Sequence, residues 1–274
     1  MSHVIQLRQR IKTIETLRKV THAIRLTSRA THAQLQKKSA ELAHYRAELG
    51  RLIQNLMPLI QQTTPNSPEH RKHLHIVVGS QRGYCGTFNT RIVRFFEEHQ
   101  PPTEKPLIIT VGKKAAELLS PTFRLIYSFD TFSAANFFAV SKELYQHLTG
   151  PEAYASVTIY SNYSQTFFLQ KATQTTLAVP RISYLPAPTT HDVPYLFDQP
   201  VSTLFYTLEH LHFKSLLEEI LFKSLVAEHA ARFISMDSST TNADKVLEIM
   251  RRDYNKLRQA SITREITDLI GGLL

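Results

Sequence analysis

The chain has no tryptophan and only one cysteine, Cys85, in 274 residues. A lone thiol excludes an internal disulfide and fits a reducing compartment. Long apolar runs are also missing, since no stretch approaches the ~18 residues that a membrane-spanning helix requires. The first segment, MSHVIQLRQRIKTIE, lacks the apolar core and small-residue cleavage site of a secretory signal. These absences lead to the expectation of a soluble, unprocessed protein. Negative charge is scarce, with 23 Asp and Glu against 32 Lys and Arg and a net charge of +9. The excess is uneven. Residues 1–51 hold eleven Lys/Arg against three Glu, whereas residues 203–274 hold nine against ten Asp and Glu. Acidic partners are therefore expected for the N-terminal segment.

The apolar content, 42% with fifteen Phe and eleven Tyr, suffices for one large domain or two small ones. Neither Pro nor Gly occurs before Gly50. Val4, Leu7, Ile11, Ile14, Leu17, Val20 and Ile24 recur at spacings of three and four, which places them on one narrow helical stripe. The stripe weakens at Thr27, Ser28, Thr31 and Lys38, then resumes through Leu35, Leu42, Tyr45, Leu49, Leu52, Leu56 and Leu59. A helix over residues 3–57 is predicted, roughly 80 Å long at about 1.5 Å per residue. Such a helix needs a partner of similar length. Pro58, Pro65 and Pro68 end it and mark a linker.

A second helix is predicted from near Val201, after Pro186, Pro188, Pro194 and Pro200. Leu217, Ile220, Leu221, Leu225, Phe233, Leu247, Met250, Tyr254, Leu257 and Ile262 approximate the same repeat. Two helices from opposite ends of a chain, each with a narrow seam, most simply pair antiparallel. One local conflict stands out. Ser238, Ser239, Thr240, Thr241 and Asn242 read as a loop, and Thr241 with Asp244 resembles a helix N-cap, so propensity predicts a break there. Beyond it, Ile262, Ile266, Leu269, Ile270, Leu273 and Leu274 keep an apolar stripe running to the last residue, an end that must be held inside something.

Between the helices, short apolar runs at 75–78, 107–111, 125–129, 157–160 and 183–185 read as strands. Amphipathic stretches at 88–99, 113–119 and 134–148 read as helices. Alternation of this kind predicts a largely parallel, doubly wound sheet. The expected organisation is an α/β fold: a coiled-coil helix over 1–60, a central Rossmann-like α/β domain over 72–190, and a coiled-coil helix over 201–274.

GSQRGYCGTFN, residues 79–89, follows the first of these strands and opens a helix. Its spacing, G-x-x-x-G-x-x-G, is neither the dinucleotide fingerprint nor a P-loop, and a tight turn explains the glycines equally well. Cys85 lacks a visible base partner and reads as a small buried side chain. His70, His73 and His75 offer three metal ligands, yet without a nearby Cys they read rather as a solvated basic patch. Asn162-Tyr163-Ser164 matches a glycosylation acceptor, which means nothing without a secretory signal. Arg8, Arg10, Lys12, Arg18, Lys19, Arg25 and Arg29 could contact nucleic-acid phosphates, so a basic coiled-coil nucleic-acid-binding protein is the alternative reading. An acidic protein surface serves that charge as well.

Three blocks resemble the gamma subunit of F-type ATP synthases over essentially the whole chain. The first is Arg10-Ile11-Lys12-Thr13-Ile14 with Lys19-Val20-Thr21-His22-Ala23-Ile24, similar to that family's "RIxSI…KITxAM". The second is Ser80 to Asn89, similar to "SDRGLCGGFN". The third and most specific is Glu228-His229-Ala230-Ala231-Arg232, Met236-Asp237, Asn242-Ala243, Tyr254-Asn255-Lys256, Arg258-Gln259-Ala260, Ile262-Thr263, Glu265-Ile266 and Gly271-Gly272. The sequence departs from the family's usual pattern at 24–31, at Gln81 and at Thr87, as a divergent or second-copy complex would.

The resemblance implies a central-stalk rotor. Its two terminal helices would wind inside a hexamer of alpha and beta subunits, with the α/β domain near the epsilon subunit and the membrane c-ring. It implies a continuous helix through 238–242, no catalytic residues, no cofactor or metal, and no nucleic acid. Arg258, Gln259 and Thr263 would contact the beta subunits at the rotor catch, and Lys19 and Arg25 would face acidic loops. The implied location is peripheral, on the cytoplasmic face of a bacterial inner membrane.

Overall fold

The computed structural model describes residues 2–62, 72–100, 106–150, 154–180, 184–186 and 197–271. The elements run α1 (Ser2–Leu56), a 3-10 turn (Met57–Leu59), β1 (Ile60–Gln62), β2 (Lys72–Val78), α2 (Phe88–His99), β3 (Leu107–Val111), α3 (Lys113–Leu119) and β4 (Leu125–Phe129). They continue with α4 (Phe137–Thr149), β5 (Tyr154–Thr166), β6 (Leu169–Ala178), β7 (Tyr184–Pro186) and α5 (Val201–Gly271). Two compact units result: Met1–Ala30 with Arg232–Leu274, and Thr31–Ala231.

In the 31–231 unit the sheet order is β4-β3-β2-β5-β6. β2 runs parallel to β3 and β5, and β3 parallel to β4. The β5–β6 pair is antiparallel, so the sheet is mixed rather than uniformly parallel. β6 has no counterpart among the expected strands because LQKATQTTLA is mostly polar. As an edge strand, it buries few side chains, chiefly Gln170 and Leu177. The strand expected at 183–185 falls outside this sheet, because β7 pairs with β1 in a separate antiparallel ribbon.

Side-chain alternation along β2 builds two cores. Leu74, Ile76 and Val78 join Leu144 and Leu148 of α4 and Leu217 and Leu221 of α5. Val77 points to the other face, with Ile92 and Phe96 of α2 and Ala115 and Leu119 of α3. Burial on both faces explains why β2 ends in the unbroken apolar run Ile76, Val77 and Val78. Where β2 ends, Gly79 donates its N–H to the Val111 carbonyl at 2.8 Å. A Cβ at Gly79 would stand 2.7 Å from Ala115 Cβ, so the close approach to α3 needs glycine.

α1 repeats in sevens. Leu7, Ile14, Thr21, Ser28, Leu35, Leu42, Leu49 and Leu56 are all buried or half-buried. Leu17 and Val20, expected on the seam, are instead 52% and 49% exposed. A partner helix covers only the narrow row that recurs every 3.5 residues, and these two side chains fall beside it. Thr21 and Ser28 occupy the row in their place.

In the 1–30 and 232–274 unit the two helices run antiparallel, as the partner numbers show. Arg25 pairs with Asp237, Thr21 lies against Thr240, Arg18 pairs with Asp244, and Glu15 pairs with Arg251. On α5 the covered row is Met236, Thr240, Ala243 and Leu247, spaced four, three and four. The break expected from propensity at 238–242 is absent, and the continuity implied by the resemblance is what occurs. The hydroxyls there are satisfied without leaving the helix. Ser239 Oγ donates to the Ser235 carbonyl at 2.8 Å, and Thr240 Oγ1 lies 2.7 Å from the Met236 carbonyl. Ser238, Thr241 and Asn242 face solvent.

Candidate functional site

The last turns of α5 present two parallel ridges. Residues four apart lie one above another on a helix, so Arg258, Ile262, Ile266 and Ile270 form one ridge and Gln259, Thr263 and Thr267 the next. Every one of these side chains is exposed, the three isoleucines by 48%, 52% and 58%. Thr263 Oγ1 donates to the Gln259 carbonyl at 3.0 Å, and Thr267 Oγ1 to the Thr263 carbonyl at 2.9 Å. Those bonds hold the hydroxyls against their own helix and leave the Gln259 amide and the Arg258 guanidinium projecting outward. Among the described residues nothing covers the apolar ridge. The side chains of Leu269, Leu273 and Leu274 lie outside the described residues.

Such a surface carries no nucleophile and no poised acid–base pair. What it can do is dock, offering one cation, one amide and a row of aliphatic side chains. The structure brings Arg258, Gln259 and Thr263 onto one end of one helix. Lys19 and Arg25 lie elsewhere on the coil. Lys19 is exposed, whereas Arg25 is partly buried, with Nη1 2.6 Å from Asp237 Oδ1 and Nη2 3.0 Å from His22 Nδ1. Sequence reasoning places neither Asp237 nor Asp244 against its arginine. The seven-residue spacing of Arg18 and Arg25 is a signal, but only the register of α5 names their partners.

The histidine cluster is not a solvated patch. His70 lies outside the described residues, while His73 and His75 share one face of β2 with ring centroids 4.7 Å apart. His73 Nδ1 is 2.6 Å from Ser156 Oγ and its Nε2 3.0 Å from Thr158 Oγ1, so both nitrogens are already engaged. His75 is buried beside Phe96 and Tyr160. Burial first, and then the neighbouring His73, push its pKa down to about 4. No three candidate ligands converge on a metal position among the described residues.

The 79–89 turn is closed by its own side chains. Ser80 N–H donates to Asn89 Oδ1 at 2.9 Å, and Asn89 Nδ2 donates to Cys85 Sγ at 3.2 Å. The amide that a phosphate would need is thereby occupied. Cys85 and Phe88 are buried with Ala227 and Ala231 of α5, small residues that allow the turn to approach the helix. Asn162, which matches a glycosylation acceptor, is 1% exposed, and its Nδ2 donates to the Phe88 carbonyl at 3.1 Å. It ties β5 to the start of α2, a role with no sequence signature.

Comparison with known proteins finds relatives along nearly the whole chain. A family model described as ATP synthase matches residues 3–273. The chain is 27% identical over 287 residues to an ATP synthase gamma chain of Trichlorobacter lovleyi, covering 99% of this chain and 98% of the relative. It is also 27% identical over 288 residues to one of Flavobacterium psychrophilum, with the same coverage. Among solved structures, a chain of the Euglena gracilis mitochondrial ATP synthase OSCP/F1/c-ring assembly superposes with a TM-score of 0.66 at 19% identity, covering 99% of this chain and 94% of the other. A chain of the rotor of the same enzyme gives 0.61 at 19% identity, covering 95% and 99%. At such identity these structures establish a shared fold.

Proposed function

The chain belongs to the ATP synthase family, and from that premise we propose that it is the gamma subunit of an F1 sector, the rotor that couples ion flow to ATP synthesis or hydrolysis. The observation that carries this reading is the antiparallel pairing of residues 1–30 with 232–271, ending in an uncovered apolar and polar double ridge, in a chain that matches gamma chains from end to end.

The proposed mechanism is mechanical. A rotating shaft changes the nucleotide affinity of a surrounding subunit only if it contacts that subunit's conformations differently. A one-sided ridge does so. Arg258, Gln259 and Thr263 are the proposed contacts to beta subunits, and Lys19 is a proposed contact to acidic loops. Arg25 would take that role with guanidinium donors beyond the one held by Asp237. The chain itself would be non-catalytic, the hydrolytic sites belonging to the hexamer. The alpha and beta subunits, the epsilon subunit and the c-ring are the proposed partners. The structural neighbours come from assemblies that contain F1 and the c-ring. No helix among the described residues is long and apolar enough to cross a membrane. The bacterial gamma-chain relatives favour a peripheral place on the cytoplasmic face of the inner membrane.

Co-expression with alpha and beta subunits from the same source tests the proposal. The expected product contains three alpha, three beta and one copy of this chain. Its ATPase should fall or uncouple when the chain is truncated after Arg251. Substituting Arg258, Gln259 and Thr263 together by Ala should lower ATPase on the order of tenfold, equivalent to about 1.4 kcal/mol of lost differential contact. A chain that stays apart from the hexamer, or binds nucleic acid on its own with steep salt dependence, would overturn the reading.

A further inference from the structure

Within the 31–231 unit, α1, the β5–β6 hairpin and α5 border a cavity of about 730 Å³. Small residues on α1, Ser39, Ala40 and Ala43, leave the space open. Ile220, Lys223 and Val226 of α5 form the opposite wall, and the hairpin contributes the hydroxyls of Ser161, Thr173 and Thr175. Phe167 closes one end, its ring edge-on to His32 at a centroid distance of 4.8 Å. Burial lowers the pKa of His32, which keeps that imidazole neutral at pH 7.

The charge of this space is one-sided. Among the described residues no Asp or Glu lines it. Lys223 Nζ lies 2.6 Å from Glu219 Oε1, and the other Glu219 oxygen takes the Arg46 guanidinium. Two cations on one buried carboxylate leave one positive charge in surplus at this wall.

We propose that this cavity is a binding site for a small aromatic carboxylate. The ring would sit against Phe167, Ile220 and Val226, and the carboxylate would lie toward Lys223 and the hairpin hydroxyls. The volume falls within the range of small-molecule sites, which pair an apolar lining with a few polar groups that set orientation. Aliphatic anions lack a use for the Phe167 and His32 corner. Cations meet no carboxylate among the described lining residues, and the nearby Glu219 is already held by Arg46 and Lys223.

The test titrates 2-naphthoate into the assembled complex containing the full chain, by calorimetry and saturation-transfer NMR, with neutral 2-naphthamide as a control of the same shape. Saturable naphthoate binding is expected, with naphthamide at least about tenfold weaker. Lys223→Met, which keeps the aliphatic stem, should weaken naphthoate about tenfold and leave naphthamide unchanged. Ala43→Phe should fill the cavity and abolish both. If Ala43→Phe fails to assemble, Thr175→Val takes its place and should weaken naphthoate selectively. Non-saturable binding, equal affinity for acid and amide, or naphthoate binding unchanged by these substitutions would each overturn the proposal. None of these readouts depends on rotation or ATPase.

Discussion

Arg25 and Asp237 meet across the antiparallel coil, Nη1 to Oδ1 at 2.6 Å, although 212 residues separate them in the chain. Arg25 lies a whole heptad after Arg18, which pairs with Asp244 two helical turns away. These pairs flank a seam whose centre is polar. They specify which residues of α5 stand opposite α1 more than they hold the helices together. The Asp237 side chain is 47% exposed, so its pair with Arg25 is a weak contributor. A double-mutant cycle of Arg25→Ala and Asp237→Ala should give a coupling of about 0.5–1 kcal/mol in low salt, shrinking as salt is raised. Thermal denaturation of the complex in the two conditions measures it.

Thr21 and Thr240 place their hydroxyls 3.0 Å apart inside the same seam. Either single Thr→Val substitution leaves one buried hydroxyl with fewer partners and should cost about 1 kcal/mol. Replacing both should restore most of that loss, because the orphaned group disappears and the shape is kept. Unfolding midpoints of the four variants, compared in urea, decide the matter. Additive losses would show that each hydroxyl is satisfied by its own helix carbonyl alone.

Glu219 is a deeply placed interhelical carboxylate, 7% exposed at its side chain and held by Arg46 from α1 and Lys223 from its own helix. Removing it strands buried cationic atoms of Arg46. Because the Arg46 and Lys223 side chains are 38% and 51% exposed, water offsets part of that loss, and Glu219→Ala should destabilise by about 1–2 kcal/mol, still above the cost of losing Asp237. Arg46→Met with Glu219→Leu should recover much of the stability. Calorimetric unfolding of the purified chain or complex distinguishes the two outcomes.

His75 makes stability depend on pH in a defined direction. Its folded pKa of about 4 lies below the ordinary value of 6.5, so the unfolded state binds the proton more readily. Stability from this residue is complete above pH 6.5 and is lost as pH falls toward 4, by roughly 3 kcal/mol in all. His73 and His32 shift the same way, also through burial. Denaturant midpoints between pH 7 and 4 should fall in wild type and fall distinctly less in His75→Gln. An unchanged slope would show that His75 is not the group that titrates.

Much of the fold is legible in the amino-acid sequence. The ends of α1 and α5, three helices and most of the parallel strands follow from periodicity and from Pro58 and Pro200. Boundaries of that kind depend on local stereochemistry. β6 is not legible, since an edge strand buries few side chains and LQKATQTTLA carries little apolar signal. The break expected at Ser238–Asn242 fails for a related reason. Isolated hydroxyl residues disfavour helix, but here Ser239 and Thr240 bond back to their own carbonyls, and Thr240 is covered by the partner helix.

The candidate site divides in the same way. Its residue types, Arg258, Gln259 and Thr263 among aliphatic neighbours, are evident in the sequence, as is their shared helical face, because α-helical spacing alone assigns both. That this end stays uncovered while Met236, Thr240 and Ala243 are enclosed depends on the register between α1 and α5. Register arises from contacts between residues more than two hundred positions apart, where only packing and charge pairing select one alignment over its neighbours. The sequence by itself determined the helices, their apolar rows and the basic excess of the first fifty residues. Only the tertiary structure decided that Leu17 and Val20 face outward, that Thr21 and Ser28 face inward, and that His75 is buried as a neutral imidazole, because each outcome depends on what stands opposite and local propensity carries no information about that.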